Sequence, residues 1–202
     1  MKLYFSPASP FVRKVRMVAA AKSLTSQIEL LECALTPVNP NENVIQDNPL
    51  GKIPALYADD VGWLYDSRVI CEFLDQAGQG EALFPSDSSE RWAALRLQSI
   101  GDGICDAAIL ARYESLVRPE NLRSEAWVEA QLEKVKRSMN YLEANTAMLK
   151  SRKDIGGIAI ACCLGYLDFR YKDMQWRESW PNLADVFQEL ALLPGFEDSS
   201  PE

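Results

Sequence analysis

The chain has 202 residues, enough for one or two ordinary domains and a sizeable core. It is 48% apolar, 25% charged and carries a net charge of −8; that acidic balance, without any Lys/Arg-rich run, argues against a nucleic-acid partner. It has no histidine, which removes Ser-His-Asp and Cys-His nucleophile pairs and the usual zinc sites, so no metal is expected.

The opening segment MKLYFSPASPF lacks the apolar h-region of a signal peptide, and a cytoplasmic location is expected. Lys2 to Phe5 read as a strand, broken by Pro7, Ser9 and Pro10. From Pro10 to Lys22 the apolar residues Phe11, Val15 and Val18 follow helical spacing. Gln27 to Glu32 form a second strand, and Asn41 to Asp47 a helical turn. Pro54 to Ala58 and Trp63 to Tyr65 pair as a hairpin around Asp59-Asp60-Val61-Gly62. Helical spacing resumes over Ser67 to Gln76 through Val69, Ile70, Phe73 and Leu74. The order β-α-β-α-β-β-α describes a small α/β domain over residues 1–78.

Gly78, Gly80, Pro85 and the serines around position 88 mark a linker, residues 79–87. Residues 88–202 read as all-helical: Ser88 to Val117, Ser124 to Leu149, Asp154 to Tyr171 and Asn182 to Leu192. The third helix is apolar on nearly every face, so it belongs in the middle of a bundle. Its run from Ile155 to Phe169 is too short to span a bilayer and carries Asp168, so no membrane role is expected. Cys162 and Cys163 lie in it; with Cys33, Cys71 and Cys105 they make five cysteines without C-x-x-C spacing, read as free thiols in a reducing compartment.

Three segments of the first domain carry chemistry. Ser9 precedes Pro10-Phe11-Val12-Arg13 directly after the first strand. Ser before Pro is a good helix cap, while a hydroxyl at a helix N-terminus also stabilises an anion. Asn48-Pro49-Leu50-Gly51-Lys52-Ile53-Pro54 enters the third strand. A cis Ile53–Pro54 bond there turns the Ile53 backbone outward to a peptide-like ligand; on spacing alone the trans turn is favoured. At Tyr65-Asp66-Ser67 a strand gives way to a helix; Asp66 and Ser67 either cap it or hold an amino acid's ammonium and carboxylate.

In this order SPFVRKVR, with Ser at the active-site position, NPLGKIPAL and DSRVICEFLD together resemble the glutathione transferase family, and the resemblance runs through the helical half, where DIGGIAIACCLGYLDFRY looks like a bacterial branch. The resemblance implies a thioredoxin-like N-terminal domain, a helical C-terminal domain and glutathione as co-substrate. It makes Ser9 the catalytic hydroxyl and gives glutathione binding to Phe11, Lys52, Ile53, Pro54, Asp66 and Ser67. Ile53 then pairs with the cysteinyl backbone, Pro54 is cis, Asp66 and Ser67 take the γ-glutamyl group, and Lys52 meets the glycyl carboxylate. Where the family has Ser/Thr-x-x-Asp at its buried helix, this chain has Asp154-Ile155-Gly156-Gly157, keeping a cap but losing the reciprocal acid.

The implied mechanism closes energetically. A cysteine-type thiol ionises near about 8.5, and lowering that to roughly 6.5 takes about 2.7 kcal/mol. A hydrogen bond to the thiolate contributes about 1.5–3 kcal/mol and a helix N-terminus about 0.3–1. Arg13 and Arg16 are either a solvated basic face or a source of further positive potential. The electrophile, a small hydrophobic molecule, is expected over Ile104, Ala107, Ala108 and Tyr113, residues that read equally well as core. Ser at position 9 cannot form the mixed disulfide a Cys would, which favours transfer over disulfide reduction. The alternative is a catalytically silent relative of the stringent-starvation-protein type, acting as an interaction module. A homodimer is expected from the resemblance, with Gly101 and Gly103 allowing another backbone to approach.

Overall fold

The structure, a computed structural model, describes residues 1–201. The chain divides into two compact units: Met1–Trp92 with the C-terminal segment from Leu193, and Ala93–Leu192.

The first unit opens with β1 (Lys2–Phe5), α1 (Pro10–Ala21), β2 (Glu29–Glu32) and α2 (Glu42–Asp47). It continues with β3 (Ala55–Ala58), β4 (Gly62–Leu64) and α3 (Ser67–Ala77). This is the expected β-α-β-α-β-β-α order. Small differences have local causes: β3 starts after Pro54, which has no N–H for the ladder, and Thr25–Gln27 form a 3-10 turn before β2.

The sheet order is β2-β1-β3-β4, with β1 parallel to β2 and antiparallel pairing elsewhere. Leu3 and Leu56 face each other in the β1–β3 ladder and are fully buried. β2 is an edge strand with exposed glutamates at both ends, as an unpaired edge requires. α1 packs against α3 and buries Val12, Val15 and Val18. Where their C-terminal ends meet, a Cβ on Gly78 would stand 2.5 Å from the Lys22 Cβ, so only glycine fits.

Lys22 and Asp75 form a buried ion pair there at 3.1 Å. Both also bond the segment read as a linker: Lys22 Nζ donates to the Glu81 carbonyl at 3.0 Å, and Asp75 accepts from the Leu83 and Phe84 N–H groups at 2.9 and 3.2 Å. The connection is thus fixed by charge-assisted bonds. The C-terminal segment is clasped onto α1. Arg13 donates to the Phe196 carbonyl at 2.7 Å and stacks 3.9 Å above the Phe196 ring, while Arg16 donates to the Asp198 carbonyl at 2.7 Å. Gly195, at φ +74°, lies so close to α1 that a Cβ would stand 2.7 Å from that of Ala20.

The second unit is helical. It contains most of α4 (Ser88–Val117), then α5 (Glu125–Ala144), α6 (Ile155–Arg170), α7 (Trp176–Ser179) and α8 (Pro181–Leu190). α5 ends at Asn145 rather than Leu149, and Thr146–Met148 turn into a 3-10 helix. α6 is buried from Ile155 to Leu167, as its apolar circumference required. Asp154 caps it, accepting from the Gly156 and Gly157 N–H groups at 2.9 and 3.1 Å, and Arg152 closes the other carboxylate oxygen at 2.6 Å. Arg152 thereby orients the capping carboxylate; it does not replace the reciprocal acid, which would accept a backbone N–H.

Gly101 serves a different purpose from the one expected. Its missing Cβ lets α4 approach α6 within the chain: a Cβ would meet the Ala159 carbonyl oxygen at 2.7 Å. Ile104, Ala107 and Ala108 are buried in the second unit, so they are core rather than surface for an electrophile. All five cysteines are free and buried. Among the described residues no helix is long and apolar enough to cross a membrane.

Candidate functional site

Strand register decides where the three chemical segments lie. Tyr4, near the end of β1, pairs with Ala55 at the start of β3, and Leu56 pairs with Leu64 at the end of β4. The β1–α1 loop, the segment entering β3 and the β4–α3 turn therefore emerge at the same end of the sheet. Ser9, Ile53–Pro54 and Asp66–Ser67 are brought together by antiparallel pairing.

Ser9 is the N-cap of α1, with extended φ and ψ and Pro10 at the first helical position. Its Oγ accepts from the Val12 N–H at 3.3 Å. Among the described residues the hydroxyl donates to nothing, and the Phe11 N–H has no acceptor. A hydroxyl proton, a free backbone N–H and the positive end of a twelve-residue helix thus lie together at the start of α1, an arrangement that favours negative charge.

The second segment is organised by Asn48, 1% exposed. Its Nδ2 donates to the Lys52 carbonyl at 2.8 Å and its Oδ1 accepts from the Leu50 N–H at 3.0 Å, folding the loop through Gly51 at φ +60°. The signal for this role is local: Asn before Pro favours a turn through this kind of side-chain bond, and the candidate binding residues of the segment do not include Asn48. The Ile53–Pro54 bond is cis. Neither backbone group of Ile53 has a partner among the described residues, so both can pair with an extended peptide. Lys52 is exposed.

At the third segment, Asp66 caps α3 and its Oδ1 accepts from the Arg68 N–H at 2.9 Å. Asp66 is exposed and its second carboxylate oxygen has no described partner. Ser67 is 4% exposed, yet its hydroxyl also has none. A free carboxylate oxygen and a free hydroxyl side by side match an ammonium and a carboxylate. Phe11, half-buried, lies two residues after Ser9 on α1, with the Lys14 ammonium 5.9 Å from its ring.

Arg13 and Arg16 are neither a solvated basic face nor freely directed potential. Arg13 is buried, and both guanidinium groups are engaged by the C-terminal segment. Among the described residues no cluster of His, Cys, Asp or Glu could hold a metal ion.

Comparison with known proteins gives the class. Residues 8–77 match the family model described as glutathione S-transferase, N-terminal domain. Over the whole chain, and 98% of the relative, it is 32% identical to the uncharacterized GST-like protein YibF of Escherichia coli K12. A glutathione transferase family member from Pseudomonas fluorescens Pf-5, solved with bound glutathione, superposes with TM-score 0.96 at 43% identity, covering 100% of this chain and 98% of that one. A second structure from that organism, with bound S-(propanoic acid)-glutathione, gives TM-score 0.91 at 41% identity and full coverage of both chains. The chain belongs to the glutathione transferase family.

Proposed function

We propose that this protein is a glutathione transferase in which the Ser9 hydroxyl donates a hydrogen bond to the thiolate of bound glutathione. The observation that carries the reading is the state of Ser9: its oxygen is occupied by the Val12 N–H, while its proton is given to no described group. The γ-glutamyl ammonium and carboxylate lie at Asp66 and Ser67. The cysteinyl backbone pairs with Ile53 beside Pro54, Lys52 meets the glycyl carboxylate, and Phe11 borders the thiol. The Pseudomonas relatives with glutathione and S-(propanoic acid)-glutathione bound support the same ligand here.

The reaction needs no general base. Ser9 and the N-terminus of α1 together supply the roughly 2.7 kcal/mol that brings a thiol from about 8.5 to about 6.5. The thiolate sulfur then attacks an electrophilic carbon of a small, largely apolar molecule. The S–C bond forms as a leaving group departs with its electron pair, or as the neighbouring carbon of an activated double bond takes a proton from water.

Ser9→Ala tests this. The bound thiol should titrate about one to two units higher, and transfer at about pH 6.5 should fall roughly ten- to a hundredfold, recovering partly as pH rises. Loss of the cap alone costs about 1 kcal/mol of stability and leaves the titration unchanged. Matching thiolate absorbance curves for the two proteins count against the mechanism. Absence of any turnover with a panel of electrophiles favours the silent interaction module instead.

A further inference from the structure

β2 is an open edge of the sheet, and its backbone alternates between β1 and the open side. The Glu29 N–H donates to the Met1 carbonyl at 3.0 Å and the Cys33 N–H to the Phe5 carbonyl at 2.9 Å. The odd-numbered residues therefore bond β1, and the backbone groups of Leu30 and Glu32 turn to the open side. No described group meets them there. They are the groups with which an incoming strand pairs.

Beside this edge, on the face covered by α1, lies a cavity of about 90 Å³. Leu3 and Leu30, partners in the β1–β2 ladder, line it together with Ile28, Ala19, Ala20 and Gly195. Leu30 is 42% exposed. Side chains alternate between the faces of a sheet, so a strand added to β2 sends the residue opposite Leu30 toward this cavity. On a scale where benzene occupies about 150 Å³, the space suits a branched aliphatic side chain.

Charge decides which strand fits. Glu29 and Glu32 are both exposed on the edge. Two copies of this chain paired antiparallel about the middle of β2 would set Glu29 of one against Glu32 of the other, and like charges directly opposite destabilise a sheet. A basic strand meets both acids favourably. Lys2 lies one strand further in, and Arg16, at the cavity, donates to the Asp198 carbonyl at 2.7 Å. Neither cation stands on the path of the added strand.

We propose that the β2 edge docks an extended basic segment of another protein. The segment adds antiparallel to β2, with Lys or Arg opposite Glu29 and Glu32 and a branched aliphatic residue opposite Leu30. This inference is independent of the transferase reading. Fluorescence anisotropy of a labelled heptapeptide, Thr-Lys-Thr-Val-Lys-Val-Thr, tests it on the full chain. Its lysines face Glu32 and Glu29, and its first valine faces Leu30. It should bind at least about tenfold more tightly than the same peptide with glutamates for lysines. Methylating the amide nitrogen of the first valine removes the N–H that the Leu30 carbonyl accepts and should weaken binding at least about fivefold. The double variant Glu29→Lys, Glu32→Lys should prefer the acidic peptide. Leu30→Pro deletes the outward N–H, a change an edge strand tolerates, and should weaken the basic peptide; the charge-reversed variant decides the matter if this one fails to fold. Equal affinity for the methylated and parent peptides overturns strand addition. Equal affinity for the basic and acidic peptides, or no binding at millimolar peptide, overturns the site. Sedimentation in which Leu30→Pro converts a wild-type dimer to monomer makes this edge an interface between copies, and overturns it too.

Discussion

Tyr4 of β1 ties the end of α2 and strand β4 together through a single side chain. Its ring stacks on Trp63, with centroids 5.0 Å apart, and its hydroxyl donates to Asp47 at 2.8 Å. Burial, and then the bond and charge of Asp47, push its phenol up to about 12. Because the folded value is raised, this contribution to stability is complete below the unfolded value near about 10 and is lost as pH rises through about 12. The melting temperature of the wild type should therefore fall more steeply than that of Tyr4→Phe across that window; parallel curves would discount the bond. At Asp66, two roles overlap and can be separated. Asp66→Ala removes a cap, costing about 1 kcal/mol, and under the proposed function weakens glutathione at least about tenfold. Asp66→Asn keeps the cap and removes the charge. Weak glutathione binding by calorimetry with near-normal stability then isolates the carboxylate, whereas unchanged affinity removes Asp66 from the site.

α1 carries Ser9 at one end and is pinned at the other. Beyond its last turn Lys22 meets Asp75 of α3, with side chains 3% and 7% exposed. Asp75→Ala leaves a buried ammonium unpaired and strips the acceptor from the Leu83 and Phe84 N–H groups. A loss of about 3–5 kcal/mol is expected, read as a lower urea midpoint with unchanged slope. The double change Lys22→Met, Asp75→Leu should cost less than Asp75→Ala, because no charge is then left stranded. If the single and double variants lose the same stability, the ion pair is not what holds this end of the helix.

For the molecule as a whole, the C-terminal segment belongs to the first unit although it follows the last helix of the second. Arg13 and Arg16, which a local reading assigns to solvent or to the thiolate, are committed to carbonyl groups more than 180 positions away. The assembly proposed for the chain is a homodimer. With Gly101 turned inward against Ala159, that proposal rests on the family and on the prevalence of two-fold homo-oligomers. Sedimentation at micromolar concentration should give twice the chain mass; a single species at 22.7 kDa would sink it.

The sequence by itself determined element types, because helix and strand periodicities, prolines and caps act over a few residues. The N-cap at Ser9, the cap at Asp154 and the buried circumference of α6 were all legible from neighbours within two turns. It also marked three segments capable of chemistry. Tertiary structure alone decided that these segments share one end of a sheet, since that follows from the register of β1 on β3 and β3 on β4, not from spacing. It likewise decided that Gly101 serves α6 and that Ile104, Ala107 and Ala108 are core. Each of these depends on contacts between residues far apart in the chain, and local pattern holds no record of which distant partner will fill a given space.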